Sequence, residues 1–295
     1  RNKLDRIVLH ASKEGELPQI DVSNLQDCTL VVDDDVLFDF ITEHASELED
    51  AYSVYITPAS QPNVQLMYSQ GLVYNMNSQL ESDLCYVLDT GSNIALMQIS
   101  NNIMKGAFAG NASVDTLVLM PWFGDDITLE DGCLAGGSVQ TIVCATDEQV
   151  AYVEQHKAAA GAPNARVIKM SLSQEGYLYY DNDGETILLS AVGDEDGNLP
   201  ATFDGTLHTD DGEQLAVDTI ASYAFSGDAK LMFVNLGEGT SKIGRNAFEN
   251  CQNLQGVFIG TSDSIEVGVD AFKGCTGLGF VASRAKKGVF ATTEN

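Results

Sequence analysis

The side chains of this chain that could do chemistry are six cysteines, four histidines and 43 carboxylates. No cysteine stands in a C-x-x-C pair, the spacing that predicts a structural zinc site. We therefore expect buried free thiols, which pack as small apolar side chains. A disulfide between Cys251 and Cys275 stays open as the alternative, because the two stand 24 residues apart at the same point of a repeat. The other four are Cys28, Cys85, Cys133 and Cys144.

The histidines form no recognisable catalytic arrangement. Nucleophilic catalysis requires a histidine beside a serine or cysteine, and a third group that orients the ring. The sequence has no G-x-S-x-G turn that would present such a serine. We interpret His10, His44, His156 and His208 as surface residues, with His44 and His156 in equivalent helical stretches.

Two acidic segments, starting at Asp181 and Asp194, resemble parts of calcium loops. An EF-hand loop needs a glycine at position six and a glutamate at position twelve. In both segments the glycine stands at position four instead, as Gly184 and Gly197. We expect ordinary turns, in which aspartate and asparagine satisfy the backbone, and we predict no metal and no cofactor.

The charge distribution excludes several classes of protein. The chain carries 15 Lys+Arg against 43 Asp+Glu, a formal net charge of −28, whereas nucleic-acid binding requires a basic footprint. Apolar runs fall short of the ~20 residues that cross a bilayer as a helix, so we predict no membrane insertion. Residues 14–104 hold 15 acids and no base, but residues 230–295 hold 6 acids and 7 bases.

The start at Arg1 fits a segment from which a signal sequence has been removed.

An internal repeat is the dominant pattern. The dipeptide Ala-Phe recurs at 107–108, 224–225, 247–248 and 271–272, and the last three phenylalanines are 23 and 24 residues apart. An isoleucine or valine precedes each alanine by four residues, and apolar residues follow each phenylalanine at +6, +9 and usually +11. A degenerate fifth copy runs through Cys133-Leu134.

The spacing of this ladder predicts one short strand per repeat, with one face turned inward. One coil cannot bury its inner face alone, so the coils must stack. Their strands then form a parallel ladder, and each Ala-Phe anchor packs on the next. The sequence therefore predicts a β-rich repeat solenoid with short helices, of the α+β class.

The repeat resembles the BspA-type leucine-rich repeats of bacterial surface proteins. Residues 243–259 and the copy through Asp270-Ala271-Phe272-Lys273-Gly274-Cys275 follow the family pattern I-x-x-x-A-F-x-x-C-x-x-L-x-x-V-x-I. The resemblance covers residues 103–144 and 220–283. It implies right-handed leucine-rich-repeat coils on a secreted or cell-surface protein that binds a partner and catalyses nothing.

The repeats group into three predicted blocks, at residues 1–70, 71–170 and 171–295. Each of the last two blocks opens with a β-hairpin. The first two close with a helix, over residues 36–48 and 148–160, whose start carries aspartates that the helix dipole favours. The second helix is predicted to be capped near Thr146 or Asp147 and to be closed by Gly161-Ala162-Pro163.

The outward side of the strands is the candidate binding surface. If Val234 and Leu236 point inward, the strand period turns Phe233 and Asn235 outward. The same register in other repeats turns outward Phe258, Phe280, Thr116, Val118, Thr141 and Val143. Adjacent exposed aromatic residues are typical of interaction surfaces, although another part of the chain could cover them. Trp122 is a second candidate, because tryptophan is frequent at hot spots, or it could fill the interior.

We therefore expect a monomeric, non-catalytic extracellular or cell-surface protein that binds or adheres to a protein or glycan on a host or neighbouring cell. The residues predicted to contact the partner are Phe233, Asn235, Phe258, Phe280 and Trp122. Two alternatives stay open. One is a glycan-acting hydrolase, which needs two carboxylates in a cleft, and the other is a structural spacer.

Overall fold

A computed structural model describes residues 6–11, 16–17, 19–51, 54–61, 63–76, 82–120, 126–194, 196–260, 264–284 and 287–290. The chain divides into two compact units, Arg1–Val167 and Ile168–Asn295. Each unit is built from stacked coils with ladders of short parallel strands, which confirms the predicted repeat solenoid. The division into three blocks stays a prediction.

The first unit contains most of the helical structure. Its elements are β1 (Arg6–Leu9), β2 (Cys28–Val32), α1 (Leu37–Glu43), α2 (Ala45–Asp50), β3 (Val54–Pro58), β4 (Gln65–Ser69), β5 (Leu72–Met76), β6 (Ser82–Val87), β7 (Ile94–Met97), β8 (Asn102–Ile103), β9 (Thr116–Leu119), β10 (Thr128–Leu129), β11 (Thr141–Cys144), α3 (Asp147–Ala160) and β12 (Arg166–Lys169). Over the described residues they form one sheet in the order β1-β2-β3-β4-β5-β6-β8-β10 and a second in the order β12-β11-β9-β7.

The second unit carries the cleanest repeats. Its elements are β13 (Ser171–Leu172), β14 (Tyr177–Asn182), β15 (Glu185–Ala191), β16 (Thr202–Phe203), β17 (Thr206–His208), β18 (Gln214–Ala216), β19 (Thr219–Ile220), β20 (Phe233–Leu236), β21 (Lys242–Ile243), β22 (Gly256–Ile259), β23 (Ser264–Val267), β24 (Phe280–Ser283) and β25 (Lys287–Phe290). Its described strands form sheets in the orders β13-β14-β15-β19-β21-β23-β25 and β16-β20-β22-β24, with β17 and β18 as a separate hairpin.

Both predicted hairpins are present, and a two-residue turn joins the strands of the second. Strands β5 and β6 pair antiparallel, as do β14 and β15. Asp183 and Gly184 connect β14 to β15, and both adopt positive φ, 58° and 94°. That geometry matches the right-handed twist of the flanking strands. The second hairpin is therefore confirmed with the turn that its sequence predicts.

The Ala-Phe anchor lies in a turn with two left-handed backbone positions. One is the residue before the alanine, and the other is the second residue after the phenylalanine, with φ between 53° and 80°. Glycine takes this conformation without strain, and asparagine and aspartate take it more readily than other residues. The first position holds Gly106, Gly132, Tyr223, Asn246 and Asp270, and the second holds Gly110, Gly136, Gly227, Asn250 and Gly274.

The backbone amides of this turn alternate between two kinds of hydrogen bond. Glu249 N–H donates within its own turn, to the carbonyl of Asn246. Phe248 and Asn250 instead donate across to the next coil, to the carbonyls of Ala271 and Lys273. The same alternation recurs in the turns at Phe108 and Phe225, so each of these turns satisfies itself and also fixes the register of its neighbour.

The anchor phenylalanines form a column through the core of the second unit. The ring centroids of Phe203, Phe225, Phe248 and Phe272 follow one another at 5.0, 5.1 and 5.4 Å. Tyr177 closes the column with edge contacts to Phe203 and Phe225. Aromatic pairs at these separations stabilise the stack beyond the burial of their area, by ~0.5–1.5 kcal/mol each.

Helix α3 stands after the last anchor turn in the described part of the first unit. Thr146 caps its start by accepting a hydrogen bond from Gln149 N–H, and Gly161 ends it with φ 101°, as predicted. The last carbonyls of a helix lack partners within it. Here Ala159 and Ala160 accept hydrogen bonds from the turn that holds Cys133-Leu134, so the helix end takes the place of another coil.

The helix predicted over residues 36–48 is wrong in detail. The structure has two short helices, α1 and α2, separated at His44. The aspartates before them do not cap α1. Asp33 accepts from Ala11 N–H, and Asp34 accepts from Ser60 N–H and Oγ–H. These carboxylates therefore join neighbouring coils, and the bonds from Ser60 hold the pKa of Asp34 below its usual value.

No helix within the described ranges has the length and apolar character needed to cross a membrane.

The close contact between α3 and the turn at Ala135 gives a testable prediction. A methyl group at Gly161 would lie 2.7 Å from Ala135 N, whereas one at Gly184 would meet nothing within 4 Å. Both glycines have positive φ, so Gly184→Ala should cost about 1–2 kcal/mol of unfolding free energy from strain alone. Gly161→Ala should cost about 1–3 kcal/mol more, because of the added overlap. Urea denaturation measures both, and equal losses would contradict the contact.

Candidate functional site

Three neighbouring parallel strands, β20, β22 and β24, position the candidate site. Their register aligns Phe233 with Gly256 and Phe280 in one row, and Asn235 with Phe258 and Ala282 in the next. Because side chains alternate along a strand, both rows lie on the same face. We call this surface the aromatic face and define it by Phe233, Asn235, Phe258 and Phe280.

The side chains of the aromatic face are exposed. Phe233, Phe258 and Phe280 are 39%, 44% and 46% exposed, and Asn235 is exposed between them. The alternating residues of the first two strands are buried: Val234, Leu236, Val257 and Ile259. The predicted register is therefore correct for β20 and β22, and no described segment covers these rings.

The last strand departs from the pattern at both of its inward positions, Val281 and Ser283, which are exposed. Val281 aligns with the buried Val257 but is 43% exposed. The reason is that β24 is the edge strand of its sheet over the described residues, so Val281 has a neighbouring strand on one side only.

Phe258 and Phe280 meet at nearly a right angle. Their ring centroids are 5.8 Å apart and the ring planes make an angle of 77°, an edge-to-face arrangement that the ring quadrupoles favour. The tip of the Phe280 ring lies over Gly256, where an added methyl carbon would stand 2.4 Å from its Cζ. The absence of a side chain at Gly256 therefore allows Phe280 to form this corner.

The corner opens into a groove of about 620 Å³ along the aromatic face. Three polar side chains line the groove beside the rings, those of Asn235, Glu238 and Arg284. Glu238 and Arg284 were missed from the sequence. Each stands just beyond the end of its strand. Extending the outward register of β24 from Phe280 could have found Arg284, but the same extension of β20 turns position 238 inward with Val234 and Leu236, so no strand signal marks Glu238.

The outward register fails in the first unit. Thr116, Val118, Thr141 and Val143 are buried, Val118 and Val143 completely. Every residue of β7, β9 and β11 is buried, so this sheet is covered on both faces. Trp122 lies outside the described residues, and its role stays a prediction.

All six cysteines are free thiols, as expected, but only four are buried, because Cys85 and Cys275 are partly exposed. Cys251 Sγ donates to the carbonyl of Phe225 at 3.0 Å, and Cys275 Sγ donates to that of Phe248 at 2.9 Å. Each thiol thus bonds to the preceding coil, and the alternative of a Cys251–Cys275 disulfide is not seen. Burial raises the pKa of Cys85, Cys133 and Cys144 to about 12.

The histidines each contact a neighbour, and the surface prediction is wrong for one of them. His44 is only 6% exposed, because its ring packs on Phe40 with the centroids 4.5 Å apart. His10 contacts Asp33 at 3.0 Å, and His156 stacks on Tyr152.

His208 joins two loops of the second unit. Its Nδ1 lies 2.6 Å from Glu175 Oε1, and its backbone N–H donates to the other carboxylate oxygen. Partial burial favours a higher pKa for Glu175, but the hydrogen bonds from His208 and Ser173 outweigh it and lower that pKa.

The acidic segments are turns. Asp181 accepts from Gly184 N–H, and Asp194 accepts from the N–H groups of Asp196 and Asn198. In the described part of the chain, no three His, Cys, Asp or Glu side chains are grouped so as to hold a metal ion.

A family model, described as the BspA type leucine-rich repeat region, matches residues 213–285 with six copies. This range contains the aromatic face. These coils are BspA-type leucine-rich repeats. The anchors Phe225 and Phe248 are buried in the core and Phe272 packs against it, whereas the rings of the aromatic face stand at positions that the pattern I-x-x-x-A-F-x-x-C-x-x-L-x-x-V-x-I leaves unspecified.

Two solved structures are similar to the chain. A leucine-rich repeat protein from Bacteroides capillosus is 16% identical, with 41% of this chain and 98% of that chain covered and a TM-score of 0.25. A leucine-rich cell surface protein from Faecalibacterium prausnitzii is 14% identical, with coverage of 99% and 89% and a TM-score of 0.28. The comparison with curated proteins gave no match.

The contrast between anchor and face phenylalanines gives a testable prediction. Phe248 is fully buried in the column, whereas Phe258 is 44% exposed. Phe248→Ala should lower the unfolding free energy by about 3–5 kcal/mol. Phe258→Ala should lower it by about 1 kcal/mol, chiefly from the lost ring pair. Urea denaturation distinguishes the two, and a larger loss at Phe258 would mean that the register of β22 is wrong.

The thiols give a second prediction. Cys133 and Cys144 are fully buried, and their raised pKa leaves roughly one thiolate in 10⁴ at pH 8. The native chain should therefore react slowly with a disulfide reagent, starting at the half-buried Cys275, and should titrate all six thiols in denaturant. Rapid reaction of several thiols in the native chain would contradict the packing.

Proposed function

We propose that this leucine-rich-repeat chain is a non-catalytic binding protein of the cell surface or extracellular space. In this proposal the aromatic face contacts a protein or glycan on a host or neighbouring cell. The observation that carries it is the alignment of three exposed phenylalanines on neighbouring strands.

The exposure of these rings is unfavourable in water. Burying a phenylalanine side chain contributes about 1.5–3 kcal/mol, and a partner that covered part of three rings would recover a share of this. Single exposed apolar residues are ordinary, but grouped ones mark interaction sites. The grouping of Phe233, Phe258 and Phe280 therefore favours binding over a structural spacer.

The strands hold the rings in place before any partner arrives. Val234, Val257 and Ile259 are buried directly beneath the aromatic face, and the pairing of β20 with β22 is regular along four residues. Ordering flexible side chains and loops is a main cost of association. A face built on a packed sheet avoids much of that cost.

The groove composition supports binding rather than glycan hydrolysis. Hydrolysis requires two carboxylates on either side of the scissile bond. Among the described residues that line this groove, Glu238 supplies the single carboxylate. The location at the cell surface or outside the cell is part of the proposal, because a protein or glycan on another cell can be reached only from there.

An array of glycans and host surface proteins tests the proposal. The chain should bind at least one component, and Phe258→Asp should weaken that binding at least tenfold while leaving the thermal unfolding midpoint within a few degrees. The matched control is Leu172→Asp, because Leu172 is 39% exposed on a different sheet. A blank array, or an equal loss with the control, would overturn the proposal.

A further inference from the structure

We infer that the aromatic face binds an uncharged glycan chain, one pyranose ring of which sits in the corner between Phe258 and Phe280. This inference rests on the proposed function and adds the chemical class of the ligand.

The shape of the corner fits a pyranose. The planes of the two rings make an angle of 77° and their centroids are 5.8 Å apart. One side of a flat ligand can lie against one ring, while the edge of the ligand contacts the other ring. A pyranose has this form, because its axial C–H groups make one face apolar while its hydroxyls point outward. The C–H groups carry partial positive charge, which the negative face of an aromatic ring attracts.

The polar side chains around the rings suit hydroxyl groups. The amide of Asn235 both donates and accepts hydrogen bonds, Arg284 donates, and Glu238 accepts. All three line the groove with the rings. A hydroxyl also both donates and accepts, so neighbouring hydroxyls of one sugar can be satisfied by this set.

The charge around the groove favours an uncharged ligand. Among the described residues that line it, one carries a carboxylate and one carries a guanidinium, so neither a cationic nor an anionic group gains a clear local advantage. Residues 230–295, which contain this lining, hold 6 acids and 7 bases, so this part of the chain adds no strong field of either sign.

The size of the groove favours a glycan over a protein as the ligand. Its volume of about 620 Å³ lies within the ~300–1,000 Å³ of small-ligand sites. A stable protein interface buries roughly 800 Å² on each partner, far more than three half-exposed rings supply. The groove is open along the strands, so a chain of sugars can continue beyond the corner.

Binding of the full chain to defined polysaccharides tests the inference. The probes are immobilised mannan, xylan and galactan as neutral chains, and polygalacturonate and heparin as acidic chains. A mucin is tested before and after enzymatic deglycosylation. We expect binding to at least one neutral chain, weaker or no binding to the acidic chains, and loss of mucin binding after deglycosylation.

Variants then separate ring stacking from general apolar contact. Phe258→Tyr keeps the ring and should bind within about threefold of the unaltered chain. Phe258→Leu keeps an apolar side chain without a ring and should bind about tenfold more weakly. Gly256→Ala keeps every ring but displaces Phe280, and it should also weaken binding. The circular dichroism spectrum of each variant should be unchanged.

The possible failures have different meanings. If the deglycosylated mucin still binds and Phe258→Asp abolishes that binding, the glycan inference is overturned while the proposed function stands. Preference for the acidic chains, or equal binding by the Leu and Tyr variants, also overturns the inference. If neither the polysaccharides nor any array component binds, both proposals fall.

Discussion

The anchor turn is the constraint on which the rest of the structure depends. Two left-handed residues on either side of Ala-Phe-x close the chain into a tight turn and leave alternate amides directed at the next coil. Only glycine, asparagine and aspartate adopt this conformation readily, which explains why these residues recur at fixed distances from each anchor. Tyr223 is the exception in the described anchor turns, with φ 63°. The turn therefore sets both the coil spacing and the register of the strands that follow.

The register in turn decides which side chains can meet a partner. In the second unit it places the buried phenylalanine column inside and Phe233, Phe258 and Phe280 outside, although each of these exposed rings follows an anchor phenylalanine by only 8 to 10 residues. The two sets of rings have opposite roles, since one stabilises the fold and the other is left for recognition. Gly256 shapes the exposed set, because its missing side chain is what allows Phe280 to lean against Phe258. A binding surface on such a stack costs little stability, because its residues stand at positions that the core does not use.

Much of this could be predicted from the sequence where the determinants are local. The strand period placed Phe258 outward, and the cap at Thr146 and the glycine at Gly161 gave the bounds of α3 to within one residue. Predictions failed where distant contacts decide. Val118 and Val143 follow the same period but are buried, because sequence period does not reveal what covers a sheet. The break at His44 depends on packing against Phe40, and the positions of Glu238 and Arg284 depend on where strands end in space.

The central claim is that the phenylalanines of the column lie in the interior of the coils, whereas the phenylalanines of the aromatic face point from the strands into solvent. Hydroxyl-radical footprinting of the free chain, read by mass spectrometry of its peptides, measures this directly, because oxidation rate follows solvent exposure of each ring. The structure predicts rapid oxidation of Phe233, Phe258 and Phe280, and protection of Phe203, Phe225 and Phe248. Equal oxidation of the two sets, or protection of Phe258 with oxidation of Phe248, would contradict the register and remove the basis of the binding site.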